Sequence, residues 1–122
     1  MVAVEPAHLV GTGGAVGAIC RYYLGRAVDR EGFPVGTLTV NVVGSFVLGL
    51  ITFAGAGTDV LLLVGTGACG SFTTFSSFSV DTVRLWERGR PAAAVGNAAV
   101  NLAGALLAVA LARGLVTLVA GL

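Results

Sequence analysis

The sequence predicts an all-α integral membrane protein of four transmembrane helices, the third of which is broken near the middle of the membrane. Of its 122 residues, 56% are hydrophobic and only 11% are charged, whereas soluble domains carry about 25% charged residues. The apolar residues form four segments, 8–27, 35–54, 60–86 and 92–121, each near or above the ~20 residues that a helix needs to span a bilayer. We therefore expect residues 1–122 to form a single four-helix transmembrane domain.

The first segment is expected to remain in the protein as a helix. It has no basic region ahead of its apolar stretch and keeps Arg21 and Tyr22 near its end, which is unlike a cleavable signal peptide. Residues 29–34, 56–59 and 87–91 connect the segments and contain the glycine, proline and charged residues typical of turns. None of these connections is large enough for a soluble catalytic site, so the sequence does not predict an enzyme.

Three asparagines interrupt the apolar second and fourth segments. Asn41 lies in the second, and Asn97 and Asn101 lie four residues apart on one face of the fourth. Polar groups at membrane depth face either the bundle interior, where they bond neighbouring helices, or a water-filled path. No acidic residue lies within an apolar segment core, which favours a path for anions and disfavours proton-coupled cation transport.

Small residues recur at four-residue spacing and predict close helix packing, because they let two membrane helices approach backbone to backbone. The pattern occurs in the first, third and fourth segments, at Gly13/Gly17, Gly67/Ser71, Gly70/Thr74 and Gly104/Ala108/Ala112.

The third segment predicts a broken helix. An unbroken helix over residues 60–86 would measure about 40 Å, more than the ~30 Å hydrocarbon core. Gly65, Gly67 and Gly70 weaken it. The backbone groups freed by a break can bond the hydroxyls that follow, those of Ser71, Thr73, Thr74, Ser76 and Ser77. The same glycines match a dinucleotide-binding motif, but the amphipathic helix and second strand of such a site do not follow.

Two phenylalanines follow the expected break. Phe75 and Phe78 are three residues apart and share a helix face. Because an aromatic ring is positive at its edge, two such edges could contact a dehydrated anion. The alternative is that both rings face lipid or pack against other helices.

The arginines predict one dominant orientation in the membrane. All basic residues are arginines, and four of them lie on or beside the connections between segments one and two and between segments three and four: Arg26, Arg30, Arg88 and Arg90. Under the positive-inside rule these connections are cytoplasmic and both termini are outside. Arg113, near the outer end of the fourth segment, opposes this bias but does not outweigh four residues.

Three stretches, residues 13–22, 36–46 and 70–79, together resemble the fluoride channels called Fluc or CrcB. The resemblance covers nearly the whole chain and implies an antiparallel dimer in the cell membrane. Two pores between its subunits would passively export cytoplasmic fluoride and so reduce its toxicity.

The resemblance also implies roles for individual residues. Phe75 and Phe78 match the ring-edge fluoride contacts, and Asn41 matches a pore-lining amide donor. Ser76 and Ser77 match hydroxyl positions between the rings. The carbonyls of Gly70 and Thr73 match those that hold a structural sodium ion on the dimer axis, and Arg21 matches an arginine that acts by electrostatic attraction or packing. Asn97 and Asn101 occupy pore positions where the family has Tyr, Ser or Thr, so the fourth helix departs from the family pattern.

Alternatives remain at this stage. The arginine bias is unusual for a homodimer of antiparallel subunits, so a heterodimer with an oppositely oriented paralogue competes with a homodimer. A small multidrug transporter has a similar length and helix count, but it would need a membrane-embedded glutamate in the first helix, which this chain lacks. A noncatalytic assembly subunit of a larger membrane complex would conduct nothing when purified.

Overall fold

The computed structural model describes residues 3–122, and all regular elements within that range are helices. Helix α1 spans Pro6–Val28 and α2 spans Val35–Phe53. Helix α3 covers residues 58–72, α4 spans Phe75–Glu87, and α5 spans Pro91–Ala120. The predicted segment boundaries agree with these helices to within a few residues, and the predicted break in the third segment is confirmed between α3 and α4.

Three of these helical stretches are long and apolar enough to cross a membrane: Val35–Phe53, Thr58–Glu87 and Pro91–Ala120. Helix α1, with 23 residues, has sufficient length, but it carries His8, Arg21 and Arg26 and is less apolar than the other three. The all-α membrane class that the sequence predicts is therefore confirmed.

Helix α3 changes its hydrogen-bonding pattern along its length. It starts with an α-helical turn at Thr58–Val60, continues as a π-helix over Leu61–Cys69 and ends with an α-helical turn at Gly70–Phe72. A π-helix bonds residue i to i+5, is rare, and is frequent at functional sites. The glycines that were expected to weaken the segment thus remain helical, and the chain leaves the helix only after Phe72.

Helix α1 packs chiefly against α3 through backbone contacts. A methyl group on Gly13 would overlap the Leu63 carbonyl oxygen, and one on Gly67 would lie 2.7 Å from the Val10 carbonyl oxygen. The Ser71 hydroxyl donates to the Gly14 carbonyl across this interface at 2.7 Å. The pairs Gly13/Gly17 and Gly67/Ser71 are therefore where the two helices meet, whereas Gly70 does not contact α1.

Helix α2 packs chiefly against α5, again at small residues. A methyl group on Gly49 would lie 2.9 Å from the Ala112 side chain, and one on Gly104 would lie 2.9 Å from the Val42 side chain. Ala108 and Ala112 are buried. The predicted ridge of small residues in the fourth segment is confirmed as a helix contact.

The connection between α1 and α2 lies next to the connection between α4 and α5. Gly32 and Gly89 adopt positive φ angles of 91° and 73°, a backbone conformation that glycine accepts without steric cost. The Arg90 guanidinium donates to the Gly32 carbonyl and so links the connection before α2 to the connection before α5. The two arginine-rich connections therefore lie side by side, as the topology prediction requires.

Candidate functional site

The break between α3 and α4 consists of Thr73 and Thr74, which are both extended. Thr73 has φ −80° and ψ 160°, and Thr74 has φ −151° and ψ 120°. The Thr74 hydroxyl accepts a hydrogen bond of 3.1 Å from the Ser77 backbone N–H and so caps the start of α4. At the other end, the Thr73 hydroxyl and backbone N–H both donate to the Cys69 carbonyl at 3.0 Å. Hydroxyls thus satisfy backbone groups that the break exposes, as predicted.

Asn41 of α2 binds both backbone polar groups of Thr74. Its Oδ1 accepts from the Thr74 N–H at 2.7 Å, and its Nδ2 donates to the Thr74 carbonyl at 3.1 Å. A single side-chain amide therefore binds both backbone polar groups of Thr74 and fixes the extended conformation at the break.

A chain of side-chain amides continues from Asn41 into α5 and back to α4. Asn41 Nδ2 donates to Asn101 Oδ1 at 3.1 Å, and Asn101 Nδ2 donates to Asn97 Oδ1 at 3.0 Å. Asn97 Nδ2 then donates to the Thr82 hydroxyl at 2.9 Å, which donates to the Phe78 carbonyl at 2.7 Å. We call this set, Asn41, Asn101, Asn97 and Thr82, the amide relay.

Phe75 and Phe78 lie together on the first turn of α4. Their ring centroids are 5.6 Å apart with the planes tilted by 47°, which confirms that they share a face. Phe75 is 79% exposed in the single chain. An aromatic ring of this size held open to the surroundings is typical of a ligand path or a contact with another subunit.

Both rings line an open groove of about 590 Å³ between α2, α3, α4 and α5. The amides of Asn41 and Asn101 and the hydroxyls of Ser45 and of the two threonines of the break supply its polar groups, and most other lining residues are apolar. No residue that lines the groove, among those the structure describes, carries a charge at neutral pH. The groove joins the polar residues at the break to the two phenylalanine rings.

Ser76 and Ser77 lie on a different side of α4 from this groove. The Ser76 hydroxyl is 3.2 Å from that of Thr74. Ser77 lines a polar cavity of about 320 Å³ together with Asp81 and Arg84 of α4, with Arg88 just after α4 and with Thr37 of α2. A smaller cavity of about 200 Å³ also contains Ser77 and reaches Thr74 and Arg21. Ser77 therefore lies beside polar, arginine-lined space, and the two phenylalanines lie in the apolar groove.

Sequence reasoning missed two members of the polar cavity. The Thr37 hydroxyl donates to Asp81 Oδ2 at 2.7 Å and thereby links α2 to α4. Asp81 lies inside α4, although no acidic residue is expected within an apolar segment core, and Thr37 is not among the predicted site residues. A threonine and an aspartate at facing positions of two apolar segments were the available signal.

The remaining predicted positions surround the break. Arg21 of α1 donates to the Thr73 carbonyl at 3.4 Å and lies half-buried. The Thr74 N–H, which would otherwise bond the Gly70 carbonyl within a helix, donates to Asn41 instead. The Gly70 carbonyl therefore lies at the C-terminal end of α3, where the helix dipole favours a cation. Gly70 itself is exposed.

The predicted residues of the fourth segment are both buried in the single chain. Asn97 is fully buried and Asn101 is 7% exposed, and only Asn101 borders the groove. The structure thus brings together Asn41, Asn101, Phe75 and Phe78 at the groove, and it places Asn97 behind them.

The fold and the groove define a class of small helical membrane protein. Its interrupted segment places threonine hydroxyls and phenylalanine rings in an uncharged groove, to which two other helices add side-chain amides. A family model described as CrcB-like protein, Camphor Resistance (CrcB), matches residues 8–114. The chain belongs to this Fluc/CrcB family, which is a family of ion channels rather than enzymes.

Similar proteins carry names that agree with this family. The chain is 66% identical over 119 residues to fluoride-specific ion channel FluC 2 of Haloarcula marismortui, covering 98% of this chain and 100% of that protein. It is 60% identical over 107 residues to fluoride-specific ion channel FluC 1 of Halobacterium salinarum, covering 88% and 90%. It is 43% identical over 110 residues to fluoride-specific ion channel FluC of Methanocaldococcus jannaschii, covering 86% and 89%.

Proposed function

We propose that this chain is a subunit of a fluoride-selective channel that lets cytoplasmic fluoride leave the cell passively and so reduces its toxicity. One observation carries the proposal: Phe75, which is exposed, and Phe78, which is half-buried, form a pair with centroids 5.6 Å apart in the same groove as the helix break. Both features belong to a family in which the relatives described above are named fluoride-specific ion channels.

The groove supports an anion as the transported ion. Its lining has no carboxylate, and ring edges and hydroxyl or amide N–H groups are the partners that an anion accepts in place of water. In the lining of the polar cavity three arginines, Arg30, Arg84 and Arg88, outnumber the aspartates Asp29 and Asp81. This positive excess raises the local anion concentration electrostatically. Fluoride entering from that side would pass Ser77 and Ser76 before reaching the rings.

The proposed functional unit is an antiparallel dimer in the plasma membrane, with α1 as a fourth span and lipid around it. An open groove on a single chain supports this, because an ion in it needs a second wall. A structural sodium ion fits the break: the Gly70 carbonyl lies at a helix C-terminus, and a carbonyl such as that of Thr73 has a second lone pair beside its bond to Arg21. Sodium held there would stabilise the dimer.

The deciding experiment is fluoride efflux from proteoliposomes that contain the purified chain, with chloride efflux as the control. We expect fluoride to leave and chloride to stay. Phe75→Ile and Phe78→Ile should each lower the fluoride rate about tenfold, the change that 1.4 kcal/mol of barrier produces. Phe53→Ile is the matched control, because Phe53 is an exposed phenylalanine at the end of α2 outside the groove. Absence of fluoride-selective flux from this chain, alone or with a paralogue, would refute the proposal.

Whether the dimer has one or two kinds of subunit is open to the same assay. Full fluoride efflux from this chain alone establishes a homodimer, and efflux only after co-expression with an oppositely oriented paralogue establishes a heterodimer. The arginine bias predicts that a reporter fused to the C-terminus is outside in most copies. Equal numbers of inside and outside reporters would instead indicate dual topology.

A further inference from the structure

We propose that Asn97 and Asn101 are positioning residues, which act on the pore by orienting Asn41 through the amide relay and do not contact the ion. The inference rests on the proposed function and gives these two asparagines a role different from that of pore lining. It concerns two positions of the fourth helix that carry asparagines where the resemblance implies tyrosine and hydroxyl residues.

Asn97 and Asn101 are both buried side chains. Asn97 has no exposed surface and Asn101 is 7% exposed, and both values refer to the single chain before any partner covers it. Asn97 does not border the groove. An ion beside the rings in the groove would therefore be out of reach of Asn97, which lies behind Asn101.

The amide N–H donors of Asn41 and Asn101 are already in use within the protein. Asn41 Nδ2 already donates to the Thr74 carbonyl and to Asn101 Oδ1. Asn101 Nδ2 already donates to Asn97, to the backbone carbonyl at 2.9 Å and to Oδ1 at 3.0 Å. A primary amide has two N–H donors, so neither side chain has a donor left for an anion in this arrangement.

The relay has a direction that each member imposes on the next. The Thr74 N–H can only donate, so it requires the oxygen of Asn41 rather than its nitrogen. Asn41 then presents its N–H to Asn101, which must offer its oxygen and turn its own N–H groups to Asn97. Truncation of Asn97 to alanine removes one of the two acceptors of Asn101, Oδ1, and keeps the backbone carbonyl, so the Asn101 amide is held less firmly in the orientation that faces Asn41.

The effect reaches the rings through Thr74. Asn41 holds Thr74 extended, and the Thr74 hydroxyl caps the helix that carries Phe75 and Phe78. A change at Asn97 is therefore expected to alter the start of α4 although Asn97 has no hydrogen bond to Asn41 or Thr74.

A double-variant cycle on fluoride efflux separates relay from direct contact. For Asn41→Ala, Asn97→Ala and the double variant, a relay predicts that the double variant is no slower than the slower single variant, since both changes break one chain. Two independent ion contacts predict instead that the fold-losses of the single variants multiply. Multiplying losses would overturn the proposal.

A second measurement does not depend on transport. Hydrogen exchange of the Thr74 amide, followed by NMR on the detergent-solubilised full chain, should be about tenfold faster in Asn97→Ala, as expected for the weakening of one buried hydrogen bond. Thr82→Val, a milder change that removes the acceptor of Asn97, should also speed it. Thr117→Val is the matched control, because Thr117 likewise donates to the carbonyl four residues back, that of Arg113, but lies outside the relay.

The two measurements keep the proposals apart. If the unmodified chain passes no fluoride, the proposed function fails and the exchange data still decide the relay. If Thr74 exchanges at the same rate in Thr82→Val and in Asn97→Ala as in the unmodified chain, the relay is refuted even where fluoride efflux is normal.

Discussion

The contact between α1 and α3 makes a sharp prediction, because two neighbouring glycines of α1 have opposite surroundings. A methyl group on Gly13 would overlap the Leu63 carbonyl oxygen and lie 2.9 Å from the Leu63 carbonyl carbon and 3.0 Å from the Ala68 nitrogen. A methyl group on Gly14 would have no atom within 4 Å. Gly13→Ala should therefore destabilise the protein, and Gly14→Ala should not.

The magnitude follows from what the added methyl group meets. Overpacking costs about 1 to 3 kcal/mol, and Gly13→Ala belongs at the upper end because backbone atoms cannot move aside as a side chain can. Replacing glycine by alanine within a helix returns about 1 kcal/mol. We expect a net loss of about 2 kcal/mol for Gly13→Ala and a gain of up to about 1 kcal/mol for Gly14→Ala.

The assay is thermal unfolding of the purified protein in detergent, followed by loss of helical circular dichroism. Gly13→Ala should unfold at a clearly lower temperature than the unmodified chain, and Gly14→Ala at the same or a higher temperature. The Gly14 carbonyl that accepts the Ser71 hydroxyl is retained in the control. Equal shifts for the two variants would show that α1 does not contact α3 through the Gly13 face.

The other predictions concern two hydrogen bonds of α4, the cap made by Thr74 at its start and the bond from Thr37 to Asp81 in its middle. Thr74→Ala should lower stability by about 1 kcal/mol through loss of the helix cap, and Thr74→Ser should retain it, since serine caps equally well; thermal midpoints in detergent measure both, and a Thr74→Ala midpoint equal to that of the unmodified chain would show that the cap contributes nothing. Thr37→Val removes the donor to Asp81 and should cost about 1 kcal/mol in the same assay, whereas Thr37→Ser keeps the hydroxyl. If Thr37→Ser were as unstable as Thr37→Val, the hydroxyl would not be the stabilising group.

Sequence patterns predicted the site where local spacing decides the outcome. Phe75 and Phe78 share a face because they are three residues apart, and Asn97 and Asn101 bond each other because they are four apart. The length of the third segment predicted a break, and the break lies among the hydroxyl residues, at Thr73 and Thr74, rather than at the glycines. These results need no knowledge of how the helices pack.

The parts that were not predicted depend on tertiary register. The π-helix over Leu61–Cys69 has the same apolar composition as an α-helix, and nothing in the residue pattern sets its i+5 bonding. Asn41 reaches both backbone groups of Thr74 only because α2 lies at one height beside the break. The pairing of Thr37 with Asp81 likewise requires two helices to face each other across 44 residues of sequence.

The amide relay also has a mechanical consequence for α4. It leaves the chain at Thr74, just ahead of the helix, and returns to it at Thr82. These two attachments are eight residues apart (82 − 74), or about 12 Å along the axis where the chain is helical. A helix attached at one point can still tilt and rotate about that point, whereas attachments at two separated points restrain both motions. The rotation of α4 about its axis, and with it the direction in which the two aromatic rings point, is therefore set by side chains of α2 and α5.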